Sequence, residues 1–231
     1  MQTNDPNDNA GHRDRLRKRF DETGLDGFAD HEVLELLLFY TFARKDTKPV
    51  AKALLKELGS LEKVLSADQQ QLCSVPGMGE ASARLFIMLR ALMQRISRNR
   101  LFDTSLAIAS GSVLMDYLGT SMESLPEEQL RVIFVNNLNR VIKDEVLSSG
   151  TEDQTAVYPR KIMKRAMALH ATGIIVVHNH PTGHLRPSNA DINITRQLVA
   201  AAATLDLRFL DHVIVGREEK GYFSFRESGM L

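Results

Sequence analysis

GIIVVHNHPTGHLRPSNADINITRQL, residues Gly173 to Leu198, decides the fold of this chain. It opens with a β-branched run, Ile174–Val177, with the length and character of a buried strand. His178 and His180 follow at a spacing of two. If the chain is still extended there, both imidazoles point to one face and can share an ion at about 2.0–2.1 Å each. Pro181 and Gly183 then turn the chain away. Ser188-x-x-Asp191, just after Pro187, has the form of a capping box at the start of a helix. Asp191 therefore reads in two ways. It is either a third ligand, completing a His2Asp set with an open position for water, or a capping side chain beside exposed loop histidines. Spacing alone leaves both open. The literal string His178-Asn179-His180 is weak support for HNH nuclease chemistry, whose residues are spread over a longer ββα unit.

Working outward, the pattern after about residue 100 is α/β. GSVLMDYLGT reads as a helix. Leu130–Asn136 and Arg140–Ser148 read as strands joined by an Asn-rich turn, a hairpin signature. RKIMKRAMALH reads as a helix, and DINITRQLVAAAATL as another. LRFLDHVIVG and GYFSF close the chain as two strands. Before residue 100 the pattern is helical, with no strand signal. HRDRLRKRFDE is a basic amphipathic segment. ADHEVLELLLFYTF starts at Asp30, read as an N-cap. TKPVAKALLKELG carries Ala51, Leu54, Leu55 and Leu58 on one stripe and Gly59 as a stop. SLEKVLSA and QQQLCSV read as short helices. VPGMGEASARLFIMLRALMQRIS reads as a glycine turn leading into a long helix. The expected organisation is a disordered tail over 1–10, a helical domain over 11–98, and an α/β domain over 99–231 with a mixed sheet flanked by helices.

Composition narrows the function classes. Hydrophobic residues make up 43% and charged residues 25%, enough apolar content for a core. Lys+Arg and Asp+Glu balance at 29 each, and neither half is strongly basic, so bulk charge does not announce a nucleic-acid partner. The single cysteine, Cys73, excludes an internal disulfide and a multi-cysteine zinc site. It suits a reducing cytoplasm. The opening MQTNDPNDNA lacks the pattern of a signal peptide. No apolar run approaches the roughly 18–20 residues that span a bilayer; EVLELLLFYTF is too short. The expectation is a cytoplasmic protein with no membrane partner.

H-x-H-P followed by Ser and then Asp, as in HNHPTGHLRPSNAD, resembles the JAMM signature of the JAB/MPN metallopeptidases. Within that superfamily, VYPRKIMKRAMAL, GIIVVHNHPTG, RPSNADINITRQL and LRFLDHVIVG are similar to the bacterial RadC (UPF0758) family. VPGMGEASA matches that family's helix-hairpin-helix stretch, so the resemblance covers nearly the whole chain. It implies one zinc ion per chain held by His178, His180 and Asp191. It implies Ser188 as the hydroxyl that steadies an oxyanion, and an upstream glutamate as general base. Glu128, just before QLRVIFVN, takes that position; Glu127 is the fallback, and Glu145 ranks below both. The implied activity is metal-assisted hydrolysis of a peptide or isopeptide bond in a peptide or protein substrate.

Some residues depart from the family pattern. Thr182 stands where the family has Ser, and Val135-Asn136 where Asp often follows the strand. His184 reads as exposed. His212 alternates with apolar neighbours and reads as a half-buried structural histidine, with Asp211 as a partner for a ligand imidazole. Two other function classes compete. One is a DNA-associated adaptor, contacting phosphate weakly through Gly77 and Gly79 of the hairpin, helped by the basic stripe Arg13–Arg19. The other is a metallonuclease, against which only Arg186 and Arg196 stand near the motif. A zinc deaminase lacks its P-C-x-x-C ligands.

Overall fold

The structure, a computed structural model, describes residues 6–43, 45–103, 111–149, 159–218 and 220–231. The chain divides into two compact units, Met1–Leu92 and Met93–Leu231. The division falls inside a helix, α6 (Glu80–Leu101), a few residues before the expected boundary at 98/99.

The first unit is helical: α1 (Pro6–Thr23), α2 (Asp30–Leu38), α3 (Lys48–Leu58), α4 (Leu61–Ser66), α5 (Gln69–Ser74) and the start of α6. Helix α1 begins at Pro6, so the polar opening read as a disordered tail is helical from there. Residues 1–5 lie outside the described residues. Ala29, not Asp30, is the N-cap of α2, and the Glu32 carboxylate accepts from its N–H at 3.0 Å. Asp30 is the first helical residue, where its charge meets the positive helix end. Gly59 closes α3 with φ 104°. Leu34, Leu38, Ala51, Leu54, Val64, Leu72 and Phe86 are buried together as the core of this unit.

The second unit is a mixed five-stranded sheet between helices. Helix α7 (Gly111–Met122) precedes β1 (Gln129–Val135) and β2 (Val141–Ser149). Then come α8 (Pro159–Ala168), β3 (Gly173–Asn179), α9 (Asn189–Ala203), β4 (Arg208–Val215) and β5 (Tyr222–Ser224). The strand order is β2-β1-β3-β4-β5. β3 is antiparallel to β1 and parallel to β4, and both outer pairs are antiparallel. This is the expected fold class, a helical N-terminal region followed by a mixed sheet flanked by helices.

Alternation along β1 and β3 supplies two cores. Ile133, Val135, Ile175 and Val177 face α7. Leu130, Val132, Phe134, Ile174 and Val176 face α8 and α9. Every residue of β3 is buried, which is why its sequence is a continuous apolar run instead of an alternating one. The period of two carries His178 onto the α8/α9 face, opposite Leu130 of β1. Glu128, two residues before Leu130, falls on the same face; Glu127 and Gln129 fall on the other.

Candidate metal centre

β3 ends in the His178–His180 stretch. The His180 N–H bonds Val215 O of β4 at 2.9 Å, so the chain is still held to the sheet at the second histidine. The turn after it is closed by Gly183 N–H on His180 O (2.8 Å) and by Arg217 N–H on Gly183 O (2.8 Å). Gly216 sits under this turn. A Cβ there would lie 2.5 Å from Gly183 O, so only glycine lets β4 and the turn approach so closely. Ser188 then caps α9: its Oγ accepts from Asp191 N–H at 3.1 Å.

The capping reading of Asp191 holds, and the same geometry leaves the carboxylate beside the two histidines. Asp191 Oδ2 accepts from Ser188 N–H and from Ser188 Oγ–H, each at 2.7 Å. The same carboxylate faces the histidines, with Oδ1 3.3 Å from His178 Nε2 and Oδ2 3.7 Å from His180 Nε2. The two Nε2 atoms lie 3.0 Å apart. Four-coordinate ligation at about 2.0–2.1 Å separates neighbouring ligand atoms by roughly 3.4 Å. The three observed separations bracket that value.

The hydrogen bonds settle which atoms face inward. His180 Nδ1 lies 2.7 Å from His184 O. A carbonyl only accepts, so Nδ1 carries the hydrogen and the neutral ring turns a lone pair inward at Nε2. For His178 the reasoning starts two residues away. Thr195 Oγ1 donates to Asp191 O at 2.5 Å. It must therefore accept from His212 Nδ1, 2.6 Å away. His212 Nε2 is then an acceptor and takes the Nδ1–H of His178 at 2.9 Å. That leaves a lone pair on His178 Nε2. Two imidazole lone pairs and a carboxylate converge, three acceptors with no donor of their own.

Electrostatics favour the neutral form at His178 and His212 and pull His180 the other way, toward donating to Asp191 as long as no ion takes its place. Burial pushes His178 down to about 4 and His212 down to about 3, so both rings are neutral at pH 7. His180 is shifted up, first by its interaction with Asp191. Burial alone would raise the Asp191 carboxyl. The hydrogen bond that a protonated His180 donates, the electrostatic interaction with the His178 ring and the two bonds from Ser188 outweigh it and hold the group below the usual carboxylate range. Glu128 stands at the rim. Desolvation raises its carboxyl above the ordinary glutamate value, and it lies within the electrostatic reach of His180 and Asp191.

The other sequence-stretch residues fall as follows. Glu127 marks the site through its backbone carbonyl, which accepts from Asn179 Nδ2 at 3.0 Å. Glu145 is clamped by both arms of the Arg165 guanidinium. His184 is exposed, and what it brings to the site is its carbonyl. His212 is not half-buried but 1% exposed, stacked on Phe225 with ring centroids 4.8 Å apart. It, and not Asp211, is the hydrogen-bond partner of the His178 imidazole. Asp211 instead holds Ser224 Oγ (2.5 Å) and Arg226 N–H (3.0 Å). Thr195 went unassigned in the sequence, because one helix turn after Asp191 it looks like any helical threonine.

Gly77 and Gly79 lie in the turn between α5 and α6. Gly77 has φ 89°, and a Cβ there would meet Val50 Cγ2 at 2.9 Å; no atom would crowd one at Gly79. The basic stripe is largely spent on packing. Arg13 donates to the Phe42, Ala43 and Lys45 carbonyls, Arg17 lies over the Phe39 ring, and Arg19 pairs with Glu32. Among the described residues no helix is long and apolar enough to cross a membrane.

Comparison with known families yields two matches. Residues 8–84 match the UPF0758 N-terminal family. Residues 108–230, more than half of the chain and the part that holds the whole His-His-Asp cluster, match the RadC-like JAB domain, a metallohydrolase-type family. The chain belongs to the RadC-like JAB domain family.

Proposed function

We propose that this protein is a zinc-dependent hydrolase of the JAMM type, cleaving a peptide or isopeptide bond in a peptide or protein substrate in the cytoplasm. The observation that carries this reading is the convergence of three acceptors, His178 Nε2, His180 Nε2 and the Asp191 carboxylate. Such a set is satisfied by a cation. Two imidazoles and one carboxylate suit zinc. When bound, the ion supplies a Lewis acid and a water of lowered pKa.

The chain's own residues do the rest. Glu128 accepts the proton of the attacking water as the new C–O bond forms, and delivers it to the leaving nitrogen as the C–N bond breaks. Its raised proton affinity suits a group that must take up a proton and release it. Ser188 donates its hydroxyl hydrogen to the oxyanion. The hydroxyl now donates to Asp191 Oδ2, which also accepts the Ser188 N–H. The hydroxyl can turn to the substrate while the carboxylate keeps one of its two bonds.

Elemental analysis of untagged protein, after dialysis against zinc, tests the ligand set. The expected result is one zinc per chain, lost in His178→Ala and in Asp191→Ala with the fold retained by circular dichroism. Glu128→Gln keeps the zinc and loses cleavage of a quenched peptide and isopeptide library. No zinc in the wild type after reconstitution overturns the reading.

A further inference from the structure

Asn179 lies between the two ligand histidines and points the other way. It is 1% exposed. Its carboxamide makes two hydrogen bonds, both to β1 and the residues before it. Oδ1 accepts from Gln129 N–H at 2.9 Å, and Nδ2 donates to Glu127 O at 3.0 Å. A backbone N–H only donates and a carbonyl only accepts, so the amide orientation is forced.

The Glu127 carbonyl belongs to the peptide unit before the Glu128 Cα. The Gln129 N–H belongs to the peptide unit after it. One side chain therefore grips both planes that flank Glu128, and with them its φ and ψ. The pairing Leu130↔His178 ends the β1–β3 ladder just short of this point. The Asn179 carboxamide continues it, standing in for the next peptide of a strand that no longer supplies one. Glu128 lies outside β1 and is open to solvent on one side. No hydrogen bond of the described residues holds its side chain, so its backbone must carry the positioning.

We propose that Asn179 is a positioning residue for the reaction: by clamping both peptide units around Glu128 it aims that carboxylate at the His178–His180–Asp191 cluster. The inference rests on the proposed hydrolase reading for what Glu128 does there, and on geometry alone for the clamp. A shift of the base by about 1 Å costs on the order of 10²-fold in rate. Asn179→Ala removes both arms. Asn179→Asp keeps the acceptor for Gln129 and loses the donor to Glu127.

The test uses the full chain and four readouts. Zinc stoichiometry in Asn179→Ala stays at the wild-type value, because no ligand atom is touched. The kcat for the peptide library falls about 10²-fold with KM little changed, and Asn179→Asp falls between the two. The double variant Asn179→Ala/Glu128→Gln is no slower than Glu128→Gln alone, since a residue acting only through Glu128 has nothing further to lose. Hydrogen exchange at the Gln129 amide is protected in wild type and Asn179→Asp and fast in Asn179→Ala. In Co2+-loaded protein, paramagnetic broadening of the Glu128 side-chain carboxyl carbon is strong in wild type and weaker in Asn179→Ala.

Additive losses in the double variant, or equal broadening with and without Asn179, overturn the positioning role. A wild type with strong broadening but no cleavage of any library member overturns the hydrolase reading and leaves the clamp standing on exchange and broadening. A wild type with no broadening removes Glu128 from the site and the proposal with it.

Discussion

At the scale of single residues, the centre is defined by proton positions. Two carbonyls, His184 O and Asp191 O, sit at the ends of two short chains of donors. Because a carbonyl cannot donate, each fixes every hydrogen back to a ligand nitrogen. His212 and Thr195 are thus what keeps His178 in the tautomer that can bind an ion. Replacing His212 with Phe preserves the stack on Phe225 and leaves the His178 Nδ1–H without a partner. Zinc affinity is expected to fall about 10–100-fold, read by competition with a chromophoric chelator. Thr195→Val should shift it in the same direction by less. An affinity within about twofold of wild type for His212→Phe would remove the relay from the account. The His178–His180–Asp191 cluster was legible in the sequence, because all three residues lie within one fourteen-residue stretch with a spacing that means something on a strand and a helix end. His212 was not. Its partner is 34 positions away, and a histidine alternating with Val213 and Leu210 looks like any strand histidine.

Secondary-structure elements meet at this centre from four directions. The segment leading into β1 brings Glu128, β3 and the residue after it the histidines, α9 the aspartate and threonine, β4 the relay histidine. The parallel pairing of β3 with β4 is what puts His178 and His212 in contact. The turn after β3 is as important as the strands. Gly216→Ala puts a methyl carbon 2.5 Å from Gly183 O and 2.8 Å from Leu185 Cδ2. The turn has to move, at a cost of roughly 1–3 kcal/mol, and His180 moves with it. Denaturant midpoints and zinc content should fall together. Gly119→Ala, inside α7 with its nearest neighbour atom 3.9 Å away, should instead raise stability by roughly 0.5–1 kcal/mol. If both substitutions behave alike, close approach is not the reason for Gly216. Most elements were readable from periodicity and turn residues. The differences fell at helix starts, at Pro6 and at Ala29; at Ala29 a carboxylate three residues on accepts the N–H of an N-cap that has no side-chain oxygen.

For the whole molecule, the division into Met1–Leu92 and Met93–Leu231 assigns every ligand and every relay residue to the second unit. Calorimetry of the full chain should resolve two transitions. Zinc at about a hundred times its Kd adds about 2.7 kcal/mol to the unit that binds it and should move one transition only, with a chelator reversing the shift. A single transition that zinc shifts as a whole would mean that the units unfold as one. Neutral overall charge was visible from composition, and the way Arg13 is taken up by carbonyls and Arg19 by Glu32 was not, since that depends on which residues fold back onto the helix.

The ligands and the groups that direct them differ in how far apart they lie along the chain. His178, His180 and Asp191 are near neighbours in sequence. The contacts that orient them and bring in the base join positions 34 and 52 apart. Closing the short loop between the ligands costs little chain entropy, whereas the long-range contacts wait for β1, β3 and β4 to assemble. During folding, the ion-gathering segment is therefore complete in covalent reach before the sheet exists. Tautomer control and the aim of Glu128 arrive only with the last strands. On the proposed reading, hydrolytic competence is in this sense a property of the finished topology: a nascent or partly opened domain would gather its ligands while its chemistry stays switched off.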